Sequence, residues 1–311
     1  MNDTAPERAD TMRTAPKVSQ YIPCYNVGAY LAPVLEGVLK QTLPLHEIFV
    51  VDDGSKDRTC EIAERYPVTI VRHERNRGLA AARNTGIQRA ANEWVAWLDA
   101  DCVPDPRWLE ILAKVLADES VTMAGGRLIE TVLASLADRW RAAHMPQDWG
   151  AARIDNPKFM FGNNGLARKA AIEQAGGYNE RFTTNGEDVD LSMRLRARGC
   201  SFVYEPAAIV SHLRRDSVAS VMNAYWRWWR SGVNAYANGV RLRSVVATFY
   251  RAHLGTSFLE RIGRDLKQRR FELLPLDAYA LAYMPCRDLR LYWEARRGAR
   301  APHISAEVKT N

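Results

Sequence analysis

The chain opens as an alternation of two hydrophobic patterns. Residues 18–22, 47–51, 68–71 and 93–98 are short runs rich in Val, Ile, Phe and Trp, of the length and composition of buried strands. Gln20 is the one odd residue in the first run. Between these runs the apolar positions recur every three or four residues. Leu31, Val34, Leu35 and Val38 mark a helix over 30–41. Asp57 can cap a second helix that runs to about 65, and an alanine-rich third helix spans 79–91. This β-α-β-α-β-α-β order predicts a parallel sheet with helices on both faces.

Further along, a helix is expected over 106–116, with Pro106 in its first turn. A strand over 121–128 should be broken by Gly125-Gly126. Residues 130–157 are weakly patterned, with helical character around 133–143. Residues 159–168 read Phe-Met-Phe-Gly-Asn-Asn-Gly-Leu-Ala-Arg and are followed by a short helix. Another helix opens at Gly186-Glu187-Asp188 and stops at Gly199. Short strands over 201–204 and 208–210 precede His212.

Composition adds limits. With 311 residues, 47% hydrophobic and 25% charged, the chain can bury a substantial core. Residues 1–17 are polar, lack the apolar stretch of a signal peptide and read as disordered. No apolar run is long enough to cross a membrane. Five scattered cysteines form no CxxC pair, which argues against zinc and a disulfide framework and fits a reducing compartment. The net charge of +7 is uneven: residues 214–300 hold 17 Lys and Arg against 7 Asp and Glu, and the remainder holds 26 against 29. The basic C-terminal third points to an anionic partner.

The strand over 93–98 runs directly into Asp99-Ala100-Asp101. Residues two apart share a face of a strand. Two neighbouring carboxylates repel unless a cation lies between them, and Mg2+ or Mn2+ prefers such oxygen ligands. The pair also falls where ligands bind in open α/β sheets, beyond the carboxyl ends of the strands. A nicotinamide-type dinucleotide site is disfavoured, because the first turn is Pro23-Cys24-Tyr25-Asn26 rather than a GxGxxG loop.

Several separated motifs occur together: Pro23-Cys24-Tyr25-Asn26, Val51-Asp52-Asp53-Gly54-Ser55, Asn76-Arg77-Gly78 with Ala82-Arg83-Asn84, Leu98-Asp99-Ala100-Asp101 and Gly186-Glu187-Asp188. In this order they resemble family 2 glycosyltransferases. The resemblance implies an α/β GT-A fold over 18–213, with a mostly parallel central sheet flanked by helices. It implies an inverting glycosyltransferase moving a sugar from a nucleotide-diphosphate donor to a hydroxyl acceptor, in cell-envelope or extracellular polysaccharide or glycolipid synthesis. By the same resemblance Pro23, Tyr25, Asp52, Asp53, Arg83 and Asp99 would hold the nucleotide sugar. Asp101, Asp99 and His212 would bind Mn2+ or Mg2+. Asp188 would be the catalytic base, and Gly162, Asn164, Glu187 and Trp228 would line the acceptor or sugar pocket.

Residues 214–311 form a basic, aromatic-rich region expected to be helical. Arg227-Trp228 offers half of the QxxRW motif of processive synthases, with Ala224 at the glutamine position, which argues against processivity. Basic and apolar residues over 258–271 and 273–297 suit either an anionic membrane surface or a packed helical subdomain. The expected setting is cytoplasmic, peripheral on the inner face of the membrane, and no nucleic-acid motif accompanies the charge. Two rival readings are a nucleotidyltransferase, which would need a glycine-rich basic loop after the first strand, and a catalytically silent sugar-binding or membrane-associated scaffold of the same fold.

Overall fold

A computed structural model of the chain describes residues 16–182, 185–234 and 256–296. The four expected N-terminal strands are present: β1 (Val18–Cys24), β2 (Glu47–Asp52), β3 (Thr69–Arg72) and β4 (Trp94–Leu98). They pair in parallel in the spatial order β3-β2-β1-β4. Three helices connect them: α1 (Leu31–Leu39), α2 (Thr59–Ala63) and α3 (Leu79–Arg89).

Alternating side chains on these strands feed two cores. Val18, Ile22, Val50, Ala96 and Leu98 face one side, where Leu31, Val34, Leu35 and Val38 of α1 cover them. Tyr21, Phe49, Val51, Val95 and Trp97 face the other, under Ala80, Ala82 and Ile87 of α3. Burial on both faces is why these strands read as continuous apolar runs. Gln20 lies fully buried inside β1.

Beyond β4 the sheet becomes mixed. The chain runs through β5 (Cys102–Pro104), α4 (Trp108–Leu116), β6 (Val121–Glu130), α5 (Leu136–His144), β7 (Ile154–Asp155), β8 (Asn164–Arg168), α6 (Lys169–Gln174), α7 (Glu187–Ala197) and β9 (Ser201–His212). The sheet continues β4-β8-β6-β9-β5, with β7 also on β9. Strand β8 runs antiparallel to both β4 and β6, while β6 and β9 are parallel. The glycine pair does not break β6: the strand is continuous, with a register shift at Gly126/Arg127. The two short strands expected before His212 are one strand, β9. Strands β5, β7 and β8 have no counterpart in the sequence reading, because Pro104, Asn156 and the Gly-Asn-Asn-Gly run mask their patterns.

Helix α5 starts at a reciprocal cap, in which Ser135 accepts from the Asp138 N–H and Asp138 accepts from that of Ser135. Among the described residues after β9 are three helices, α8 (Val218–Asn234), α9 (Thr256–Lys267) and α10 (Leu274–Arg296), with a 3-10 turn at Phe271–Leu273. Trp140 of α5, Val221, Met222 and Trp226 of α8, and Leu276, Ala280 and Met284 of α10 build a third core. The segment expected to be disordered lies, through residue 15, outside the described residues. Among the described residues no helix is long and apolar enough to cross a membrane.

Candidate active site

The carboxyl ends of β1, β2 and β4 open onto a cleft of about 1240 Å³. One wall is made of the first two turns. The Asn26 N–H donates to Ser55 Oγ, and Asn26 Oδ1 accepts from the Lys56 N–H, so the two turns brace each other. Pro23, Tyr25 and Asp53 line the cleft here. The structure separates the two adjacent acids. Asp53 is held by the N–H groups of Arg77 and Gly78, each at 2.8 Å, and lies 2.7 Å from His73 Nδ1. Asp52 turns away from the cleft lining, accepts from the Ser55 N–H and lies 3.0 Å from Cys60 Sγ. Gly54 permits this turn, since its φ of +76° and a Cβ placed 2.8 Å from the Arg75 backbone would both strain another residue.

Sheet register assembles the facing wall. Cys102 of β5 pairs with His212 of β9, and Glu130 of β6 pairs with the same His212. Asp101 therefore sits beside the imidazole, with Oδ2 3.3 Å from Nε2. Glu130 holds Nδ1 at 3.0 Å and is itself bound by Arg141, whose other nitrogen reaches Asp216 at 2.6 Å. Burial opposes a charged imidazole, but Asp101 and Glu130 on either side lift His212 to about 9. Burial also opposes ionisation of Asp101, yet His212 and Arg214 hold it below the ordinary carboxylate range. Burial raises Asp99 despite Arg83, and the Asp101 charge adds to that rise.

This donor set fits a divalent cation. Two cis ligands of an octahedral ion lie about 3 Å apart, close to the 3.3 Å between Asp101 and His212. A carboxylate on the far ring nitrogen is the usual partner of a metal-binding histidine. Asp99 and Asp101 both line the cleft.

Arg83 ties the centre together from behind. It is 2% exposed and does not line the cleft. Its guanidinium donates to Glu187, to Asp99 at 3.0 Å and to the Gly162 carbonyl at 2.7 Å. Gly162 makes room for it, as a Cβ there would lie 2.6 Å from Arg83. The Gly162 N–H in turn donates to Asp188 at 2.9 Å, at the start of α7. Burial pushes Glu187 up to about 7 against the pull of Arg83. Asn164 is buried in the sheet, bound to Gly126, Trp108 and Asn163, and so braces the fold beneath the site. Trp228 packs on the third core, while its neighbour Arg227 lines the cleft.

His73, Glu130 and Arg141 were not singled out from sequence. Each lies at the end of a strand or inside a helix with an ordinary pattern, and only the pairing of distant strands gives it a partner.

The sequence profile of glycosyl transferase family 2 matches residues 19–175. The chain belongs to this family. A pre-mycofactocin glycosyltransferase of Mycobacterium tuberculosis (strain ATCC 25618 / H37Rv) is 32% identical over 180 residues, covering 55% of this chain and 38% of that protein. The chain thus spans well under half of that relative's length. The glycosyltransferase AglE of Haloferax volcanii is 29% identical over 214 residues, covering 65% of this chain and 68% of that protein. Among solved structures, the Pyrobaculum calidifontis mannosyltransferase PcManGT, in complex with GDP-Man and Mn2+, superposes with a TM-score of 0.57 at 19% identity, over 94% of this chain and 83% of that one. Residues 1–349 of S. aureus TarS, in complex with UDP-GlcNAc, give 0.54 at 16% identity, over 91% and 92%. The fold is the GT-A fold, a large mixed sheet flanked by helices with further helices at the C-terminal end.

Proposed function

We propose that this chain is an inverting glycosyltransferase that moves a sugar from a nucleotide-diphosphate donor to a hydroxyl of a glycan or lipid-linked glycan. The observation that carries this is the cleft joining the Asp53 wall to Asp99 and Asp101, with buried His212 against Asp101 behind that wall. The complexes of the neighbouring folds with GDP-Man and UDP-GlcNAc support a nucleotide-sugar donor.

Asp53 and Tyr25 would receive the nucleoside. The diphosphate would lie among the cleft's cations, which include Lys56, Arg77, Arg214 and Arg227. Burial and the like charge of Arg214 push Arg227 down to about 10, so an anion beside it would relieve an existing repulsion. Asp101, His212 and Asp99 would hold Mn2+ or Mg2+, which neutralises charge developing on the leaving diphosphate.

Asp188 would take the proton from the acceptor hydroxyl as the sugar is transferred. Its two oxygens accept from the Gly162 and Val189 N–H groups, which fixes the carboxylate's direction. Glu187 is tied to Arg83. Asp190, the third acid of this turn, is paired with Arg194, which leaves Asp188 as the one of the three with no ion pair to a cation among the described residues, and a lone base supports single displacement with inversion. All five cysteines are unpaired, which supports a reducing, cytoplasmic setting. Relatives such as a chondroitin synthase support a role in polysaccharide or glycoconjugate synthesis.

The test is thermal melting of the purified chain with UDP, GDP, dTDP or CMP, with and without Mn2+. Binding to the native state raises the melting temperature. A shift with one nucleoside diphosphate that requires Mn2+ and is lost in Asp101→Ala is the expected result. Absence of any shift, together with no turnover of nucleotide sugars, would overturn the reading in favour of a silent scaffold.

A further inference from the structure

Helix α9 turns one pair of charges, Arg261 and Asp265, inward and its leucines outward. Arg261 and Asp265 are buried, at 4% and 0% exposure. The Arg261 Nε donates to Asp277 at 2.7 Å, and Asp265 Oδ2 lies 2.9 Å from His144 Nε2. These contacts fix the rotation of the helix. On the opposite side Leu259 and Leu266, seven residues apart and so on one stripe, are 66% and 48% exposed, and Phe271 follows at 58%. On α10, Tyr279, Ala282, Cys286, Leu289 and Trp293 are exposed at alternating spacings of three and four, a second stripe along one face. Six of the ten large exposed hydrophobic side chains among the described residues lie on these two helices and the turn between them. That is concentration rather than the scatter of single apolar residues on any surface.

Three exposed cations, Arg264, Lys267 and Arg269, accompany the α9 leucines and Phe271, against the exposed acids Glu260 and Glu272. We propose that this face binds an anionic lipid surface. Leu259, Leu266 and Phe271 would enter the acyl boundary, and the three cations would meet headgroup phosphates. A second copy of the chain fits less well, because a two-fold contact on this face would bring the same cations together.

The face also lies near the chemistry. Arg227 of α8 lines the cleft, and Trp226 beside it donates its indole N–H to Asp288 of α10 at 3.0 Å. Lipid-bound helices would thus stand one helix away from the cleft. Resting on the glycosyltransferase reading, this makes the acceptor a hydroxyl on a lipid-anchored molecule of the same surface.

The full chain would be floated with phosphatidylcholine vesicles with and without phosphatidylglycerol, at low and high salt. The wild type should float only with phosphatidylglycerol and be released by salt. Leu259→Ser with Leu266→Ser and Phe271→Ser should lower the bound fraction about tenfold or more. Arg264→Glu with Lys267→Glu should abolish the phosphatidylglycerol preference. A wild type that fails to float, or a triple serine variant that floats as well as wild type, overturns the proposal. So does a dimer in light scattering that the serine variant dissolves. Nucleotide-dependent melting, measured on every variant, confirms folding and separates the two readings. A retained shift without flotation removes the lipid surface alone. Flotation with neither a shift nor turnover of nucleotide sugars removes the enzyme reading and leaves the surface.

Discussion

Asp188 is half-buried at the first turn of α7, with both oxygens directed by backbone N–H groups. Asparagine keeps one acceptor oxygen and nearly the same shape but cannot take a proton. Asp188→Asn should therefore lower the transfer rate by roughly a hundredfold or more, with nucleotide-induced melting shifts unchanged. Loss of the shift along with the rate would assign Asp188 to binding instead. Glu130 supports His212 from the far ring nitrogen. Glu130→Gln weakens that support and should raise the Mn2+ concentration needed for half the melting shift by about tenfold to a hundredfold. An unchanged Mn2+ titration would leave Glu130 as a purely structural partner of Arg141. The motif residues could be read from the chain because turn chemistry is local, as in the Asp52-Asp53-Gly54-Ser55 run. Which of two adjacent acids faces the cleft could not, because the answer depends on His73 and Gly78, 20 and 25 residues from Asp53.

At the scale of elements, β1 and α3 show how closely the first half is fitted. A Cβ at Gly86 of α3 would lie 2.4 Å from the Tyr21 ring on β1. Alanine in a helix interior gains about 1 kcal/mol over glycine, whereas overpacking a tight core costs about 1–3 kcal/mol. At so short a distance the clash should win. Gly86→Ala should be less stable by about 1–2 kcal/mol in urea unfolding, and a more stable variant would show that α3 shifts freely on the sheet. Strands β1 to β4 were legible because burial on both faces makes each a continuous apolar run. Strand β8 was not, since Asn164 and Gly165 replace apolar residues where Asn164 bonds to Gly126 and Gly165 packs under Trp97.

At the scale of the whole molecule, α5 joins the active centre to the C-terminal helices. One face carries Arg141 to Glu130 and Asp216, and the next turn carries His144 to Asp265. Burial lowers His144 to about 4, among Asp265, Asp277, Arg261 and Arg270. In the unfolded chain an ordinary histidine takes its proton near pH 6.5. Between about 6.5 and 4 the unfolded state therefore binds more protons, so this group's contribution to stability falls as pH falls through that window. Asp277, raised by burial, acts in the opposite sense. Melting from pH 7 down to 4.5 should show a loss that is smaller in His144→Gln than in wild type. Equal losses would place the acid sensitivity elsewhere.

The sequence by itself determined the alternating half, the turns at its strand ends and the family, since short apolar runs, glycine turns and paired acids are local patterns. Tertiary structure decided the rest. It placed Glu130, His212 and Asp101 together through strand register, with β6, β5 and β9 each contributing from a distant part of the chain. It turned Arg83 inward to hold Asp99, Gly162 and Glu187, where the motif alone suggested a ligand contact. It also set Arg261 and Asp265 inside and Leu259 and Leu266 outside. Periodicity shows that a helix has two faces; the charges on its neighbours decide which face is buried.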